Sequence, residues 1–105
     1  MIIHKDKIYI IAEIGGNHEG DFEKARSLMK QAIDSGADSV KFQVYSGRSL
    51  ANIKEDPDRV NHFNRFALKD EEYVALAKEC REFGADFNAS IWNEKHIELL
   101  DEYLT

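Results

Sequence analysis

Three short, β-branched apolar runs alternate with three stretches of helical periodicity, and no other feature limits the fold of this chain as strongly. The first run, Ile8-Tyr9-Ile10-Ile11-Ala12-Glu13-Ile14, stops at Gly15-Gly16 and reads as a strand. After Asp21, a good helix N-cap, Phe22, Ala25, Met29, Ala32 and Ile33 share one helical face, and Gly36 stands where a terminating glycine belongs. Ser39–Tyr45 forms the second strand. A second helix begins near Asp70, carries Tyr73, Leu76, Ala77, Cys80 and Phe83 as its apolar stripe, and stops at Gly84. Ala85–Ile91 is the third strand. The last helix opens near Asn93 and is expected to bury Ile97, Leu100, Tyr103 and Leu104, with His96 on its outer surface. Strands joined through helices by short connections make βαβ units, and hence a parallel sheet.

One connection is long. Ser46 to Lys69 shows no clear periodicity, and it holds Arg48, Arg59, His62, Arg65 and the single proline, Pro57. Connections beyond about 12–15 residues are usually functional or disordered. This one leaves the C-terminal end of a strand, where α/β folds place their ligands.

Side-chain parity locates a candidate site. Val40, Phe42 and Val44 share one side of the second strand, Lys41 and Gln43 the other. The third strand repeats this, with Phe87, Ala89 and Ile91 against Asp86, Asn88 and Ser90. Glu13 closes the first strand on the parity of Tyr9 and Ile11. If the apolar parity packs under helices, Glu13, Lys41, Gln43, Asn88 and Ser90 converge on the other face, near the strand C-termini where barrel enzymes keep catalytic groups. The same alternation also suits a sheet solvated on one side. The turn Gly15-Gly16-Asn17-His18-Glu19-Gly20-Asp21 lacks the Gly-Lys-Ser/Thr ending of a P-loop and is no dinucleotide fingerprint. His18 and Glu19 are adjacent and so poorly placed to share an ion, which favours a hydrogen-bonding role for His18. His4, His62 and His96 make no ligand spacing, so no metal ligand is expected in this sequence.

Composition sets outer bounds. At 105 residues the chain supports one domain, and its net charge of −6, without a basic run, disfavours nucleic acid and anionic membrane as partners. An anionic ligand needs local cations. Cys80, the single cysteine, excludes an internal disulfide and reads as a buried structural thiol. The apolar run Ile8–Ala12 is far below the ~20 residues that span a bilayer, and a cytoplasmic location is expected.

Two strings give these residues a family context. Ala12-Glu13-Ile14-Gly15-Gly16-Asn17-His18-Glu19-Gly20-Asp21 resembles the AEIG-x-NH-x-G opening of N-acetylneuraminate (sialic acid) synthases. Gly36-Ala37-Asp38-Ser39-Val40-Lys41-Phe42-Gln43 is similar to that family's GAD-x-VKFQ. Ala67-Leu68-Lys69-Asp70-Glu71-Glu72 and Phe83-Gly84-Ala85-Asp86-Phe87 fall where the family has its second helix and third strand. The resemblance covers essentially the whole chain. It implies an α/β fold, the N-terminal portion (about three βα units) of a (β/α)8 TIM barrel. A barrel takes about 250 residues, so residues 1–105 are expected to be a partial synthase domain, with the rest of the barrel and an antifreeze-like domain lying outside them.

The resemblance further implies a transferase reaction in which phosphoenolpyruvate condenses with N-acetylmannosamine or a related acylamino sugar. C3 of phosphoenolpyruvate attacks the open-chain aldehyde, water adds at C2, and phosphate departs with C–O cleavage to leave a 2-keto sugar acid. A divalent metal, Mn2+ or Mg2+, polarises the aldehyde, and its ligands are expected outside this chain. By the same resemblance Lys41 binds phosphoenolpyruvate, Gln43 hydrogen-bonds the acceptor sugar, and Glu13 orients or deprotonates a water or hydroxyl. Ser90 stands where the family has a threonine near the phosphate. Asn17 and His18, from the signature turn, complete the substrate-binding candidates. The third strand ends Ala89-Ser90-Ile91-Trp92-Asn93 rather than in the family's usual STPFD, which admits legionaminic- or pseudaminic-type acceptors. A homo-oligomer is expected, and the segment alone is expected to be inactive and to associate, swap elements or be marginally stable. A non-catalytic carbohydrate- or metabolite-binding module derived from the family is the alternative; a Schiff-base aldolase using Lys41 is a weaker one.

Overall fold

The structure, a computed structural model, describes residues 8–45, 58 and 67–104. The arginines and His62 of the long connection, and His4, lie outside the described residues. Six elements follow in chain order: β1 (Ile11–Gly15), α1 (Phe22–Asp34), β2 (Ser39–Val44), α2 (Asp70–Glu82), β3 (Asp86–Ile91) and α3 (Glu94–Leu100). The strands form a parallel sheet of order β1-β2-β3. These are three consecutive βα units, as at the opening of a (β/α)8 barrel. Among the described residues, no helix is long and apolar enough to cross a membrane.

Local chemistry sets the helix ends. The Asp21 carboxylate accepts the Lys24 N–H at 3.1 Å and caps α1. Gly36 and Gly84 follow α1 and α2 with φ of 104° and 83°, the left-handed conformation that ends a helix. α3 is capped by Asn93, whose side chain accepts the Lys95 N–H at 2.9 Å.

The core lies between the sheet and α1 and α2. Val40, Phe42, Val44 and Phe87 are fully buried beneath Ala25, Met29, Leu76, Ala77 and Cys80, and the Phe42 and Phe87 rings stack at 5.9 Å. Burying each such side chain contributes about 1.5–3 kcal/mol. Arg26 on α1 donates to both carboxylate oxygens of Glu79 on α2, at 2.7 and 2.8 Å, tying the helices on their outer side. Cys80 is buried with its Sγ 3.4 Å from the Asp86 carbonyl, and burial pushes its thiol up to about 12. That environment is structural, as the apolar stripe implies.

Four expectations need correction. β1 starts at Ile11, not Ile8, because the Ile10 carbonyl accepts the Asp38 and Ser39 N–H groups while its own N–H goes to the Asp38 carboxylate at 2.8 Å. Ile10 thereby holds the entry to β2. In α3, His96 is only 4% exposed and Ile97 is 46% exposed, the reverse of the expected assignment. His96 turns inward because its Nε2 meets the Asp70 carboxylate at 3.1 Å and its ring packs edge-on against Tyr73. Phe83 is an exposed C-cap residue rather than part of the α2 stripe. The ends of β2 and β3 each fall one residue inside the expected strand, at Val44 and Asp86.

Candidate active site at the strand ends

The register brings the polar parity of all three strands onto one face. Glu13 pairs with Lys41 and Lys41 with Asn88, while Gln43 pairs with Ser90. The β1–β2 register shifts between Glu13 and Gly15, so that Gly15 rather than Ile14 stands opposite Phe42. Such a bulge re-aims neighbouring side chains. Ile14 goes into the core and the chain turns out at Gly15, where φ is +58°.

A side chain at Gly15 would crowd this site. A Cβ there would stand 3.2 Å from Glu13 Oε1 and 3.8 Å from Gln43 Nε2. The backbone of β1 thus passes close to both polar groups; the positive φ favours glycine, and a side chain here would push the Glu13 carboxylate aside.

Polarity changes along the row. At the N-terminal end the groups satisfy one another: the Tyr9 hydroxyl donates to the Asp86 carboxylate and the Asn88 amide to the Ser39 hydroxyl. Burial, reinforced by Asp86, pushes the Tyr9 phenol up to about 12. Asn88, expected among the converging site groups, belongs to this floor. Toward the C-terminal end the groups are open. Lys41 Nζ stands 3.6 Å from Glu13 Oε2, longer than a hydrogen bond, with the two side chains 38% and 49% exposed. An ion pair this exposed is worth about 0–1 kcal/mol. A ligand anion can therefore replace Glu13 beside Lys41 at little cost.

The row gathers Glu13, Lys41, Gln43 and Ser90 but not the two candidates from the signature turn. Asn17 donates its side-chain amide to the Ile14 carbonyl at 2.8 Å, closing its own turn. His18 is fully buried on the opposite, helix-packed side, with its ring 6.2 Å from Phe42. Its Nδ1 accepts the Gly20 N–H at 3.0 Å, and burial pulls its pKa below the ordinary 6.5. Nε2 of His18 has no hydrogen-bond partner among the described residues. The turn is built from i to i+3 hydrogen bonds from Asn17 to Ile14, Glu19 to Gly16 and Asp21 to His18, and His18 is its internal post.

Beyond Gln43 and Ser90 the row continues in two aromatics not anticipated from the sequence. Tyr45 follows β2 and Trp92 follows β3, and their rings meet edge to face at 6.2 Å and 87°. Both continue the parity of the polar residues, which is the signal that identifies them. Among the described residues no group of three or more His, Cys, Asp or Glu stands close enough to share a metal ion.

Comparison with known proteins bears on the family and the fold. Residues 28–105 match the NeuB family. The N-acetylneuraminate-9-phosphate synthase of Drosophila melanogaster is 32% identical over 90% of this chain and 28% of its own length. The N,N'-diacetyllegionaminic acid synthase of Legionella pneumophila is 30% identical over 88% of this chain and 29% of its own. Among solved structures, the N-acetylneuraminic acid synthetase of Leptospira borgpetersenii superposes with a TM-score of 0.80 at 25% identity, over 97% of this chain and 38% of that protein. The chain therefore spans less than a third of the length of these two curated relatives. A family match over residues 28–105, most of the chain, leads to one conclusion: the chain belongs to the NeuB family.

Proposed function

We propose that this chain supplies the first three βα units of an enzyme that condenses phosphoenolpyruvate with N-acetylmannosamine or a related acylamino sugar, giving a sialic-acid-like 2-keto sugar acid and phosphate. The observation that carries the reading is the loose Glu13–Lys41 pair beside Gln43 and Ser90, open on one face of parallel strands. Phosphoenolpyruvate carries a carboxylate and a phosphate, and a chain of net charge −6 needs a local cation to hold it. Lys41 is that cation. When the anion takes up Lys41, Glu13 is released to accept a proton from the water that adds at C2. Gln43 and Ser90 offer neutral hydrogen bonds, suited to an acylamino sugar or to phosphate oxygens.

The described residues offer no ligand set for the divalent ion, Mn2+ or Mg2+, that this reaction is proposed to use. Its ligands are assigned to the remainder of the enzyme. The remaining barrel strands, the antifreeze-like domain and a cytoplasmic homo-oligomer belong to the same proposal, under which the chain alone is inactive.

The test is condensation by the enzyme carrying this segment, followed as phosphate release that requires both substrates. Lys41→Ala and Glu13→Ala are each expected to lower kcat/KM by a hundredfold or more, the scale of a lost acid–base or charge-stabilising group. Near wild-type values in both variants overturn the assignment. Tight binding of either substrate with no phosphate release identifies a binding module instead.

A further inference from the structure

Trp92 is the single tryptophan of the chain and takes no part in the hydrophobic core. It is 45% exposed and lies directly after β3, in which Phe87 alone is buried. An isolated exposed aromatic is unremarkable on a protein surface; the position of this one is not. It stands two residues past Ser90, on the open side of the row, at the strand end where parallel α/β proteins bind ligands. Its ring is also braced. Tyr45 is 7% exposed and meets the indole edge to face, and a Cβ on Gly16 would lie 4.0 Å from the Tyr45 hydroxyl, so the β1–α1 turn lies near that hydroxyl. Edge-to-face contact fixes the partner ring's orientation while leaving a broad face uncovered.

The row thus has two chemically different ends. Lys41 and Glu13 offer charge to a small anion, whereas Trp92 offers a flat, polarisable surface that gains nothing from one. A neutral acylamino sugar has the complementary make-up: C–H bonds and an acyl methyl for an aromatic face, and an amide and hydroxyls for Gln43 and Ser90 between.

We propose that Trp92, held by Tyr45, is the platform on which the acyl group and carbon chain of the acceptor sugar rest, and so a specificity-determining residue for that substrate. The inference rests on the reaction proposed above and deepens it. The polar row orders the two substrates: phosphoenolpyruvate binds at Lys41, and the sugar lies across Gln43 and Ser90 against the indole.

The test uses the enzyme carrying this segment, because these residues alone are proposed to be inactive. By calorimetry, Trp92→Ala is expected to weaken N-acetylmannosamine about tenfold, or about 1.4 kcal/mol, with phosphoenolpyruvate unchanged. Trp92→Phe is expected to recover most of the loss, and mannosamine, which lacks the acyl group, to lose less affinity on Trp92→Ala than N-acetylmannosamine does. Lys41-dependent binding of phosphoenolpyruvate together with an N-acetylmannosamine affinity unmoved by Trp92→Ala overturns the role of Trp92 and leaves the reaction standing. Failure of the unsubstituted enzyme to bind either compound overturns the reaction as assigned to these residues, and this inference with it.

Discussion

The two faces of the central strand run along the same backbone, one residue out of step, and have opposite fates. Val40, Phe42 and Val44 are fully buried beneath helices, whereas Lys41 and Gln43 remain partly open beside Glu13 and Ser90. The first face is packed so that little can move. The second carries a salt bridge too loose to contribute much stability and a close backbone approach at Gly15. Fold and chemistry are thus separated by parity, and substitutions a single position apart should report on different properties.

The largest effect tests that separation directly. Phe42→Ala is expected to cost about 3–5 kcal/mol by urea unfolding, from lost burial and the cavity left beside Phe87. That is a large part of the ~5–15 kcal/mol typical of a domain. Next comes Gly15→Ala, at about 1–3 kcal/mol for a side chain at positive φ. Its added Cβ also displaces the Glu13 carboxylate, so binding at the row should fall further than stability does. A Gly15→Ala protein with unchanged stability and phosphoenolpyruvate affinity would show that the close approach has no role.

A gentler test uses pH on the packed face. Burial lowers the pKa of His18 below its unfolded value of 6.5. The unfolded chain therefore binds the proton more readily, and stability falls as pH drops below about 6.5, levelling off once pH passes below the folded-state value. His18→Leu should flatten that part of the profile. An unchanged slope would mean that the ring is not buried as described. The smallest stability effect is expected at the open face: Lys41→Ala should change unfolding by no more than about 1 kcal/mol, while phosphoenolpyruvate binding is lost. Comparable destabilisation by Lys41→Ala and Phe42→Ala would break the comparison.

Much of this was legible in the sequence because it depends on local periodicity. Alternation along Ser39–Val44 and Asp86–Ile91 assigned each residue to its face, and Asp21, Gly36 and Gly84 marked helix ends through their own backbone preferences. What was not legible depends on partners distant in the chain. His96 looked like surface because its neighbours are charged; it is buried because Asp70, 26 residues earlier, meets its ring nitrogen. His18 sits in a signature turn that suggests substrate contact, yet the fold uses its Nδ1 to hold that turn and buries its ring on Phe42. Asn88 shares the parity of Lys41 but is spent on Ser39, a pairing set by register rather than by either residue alone. The shift at Ile14, which frees Gly15 to pass beside Glu13, likewise exists only once β1 lies against β2.

The solitary thiol of Cys80 offers an internal clock. It lies sealed between α2 and the start of β3, and its high pKa keeps it protonated and unreactive while the structure is closed. Modification by a small thiol reagent would then proceed only during openings that lift the second helix from the sheet. Its rate, measured with and without the substrates, would tell whether ligands on one side of the sheet restrain breathing on the other.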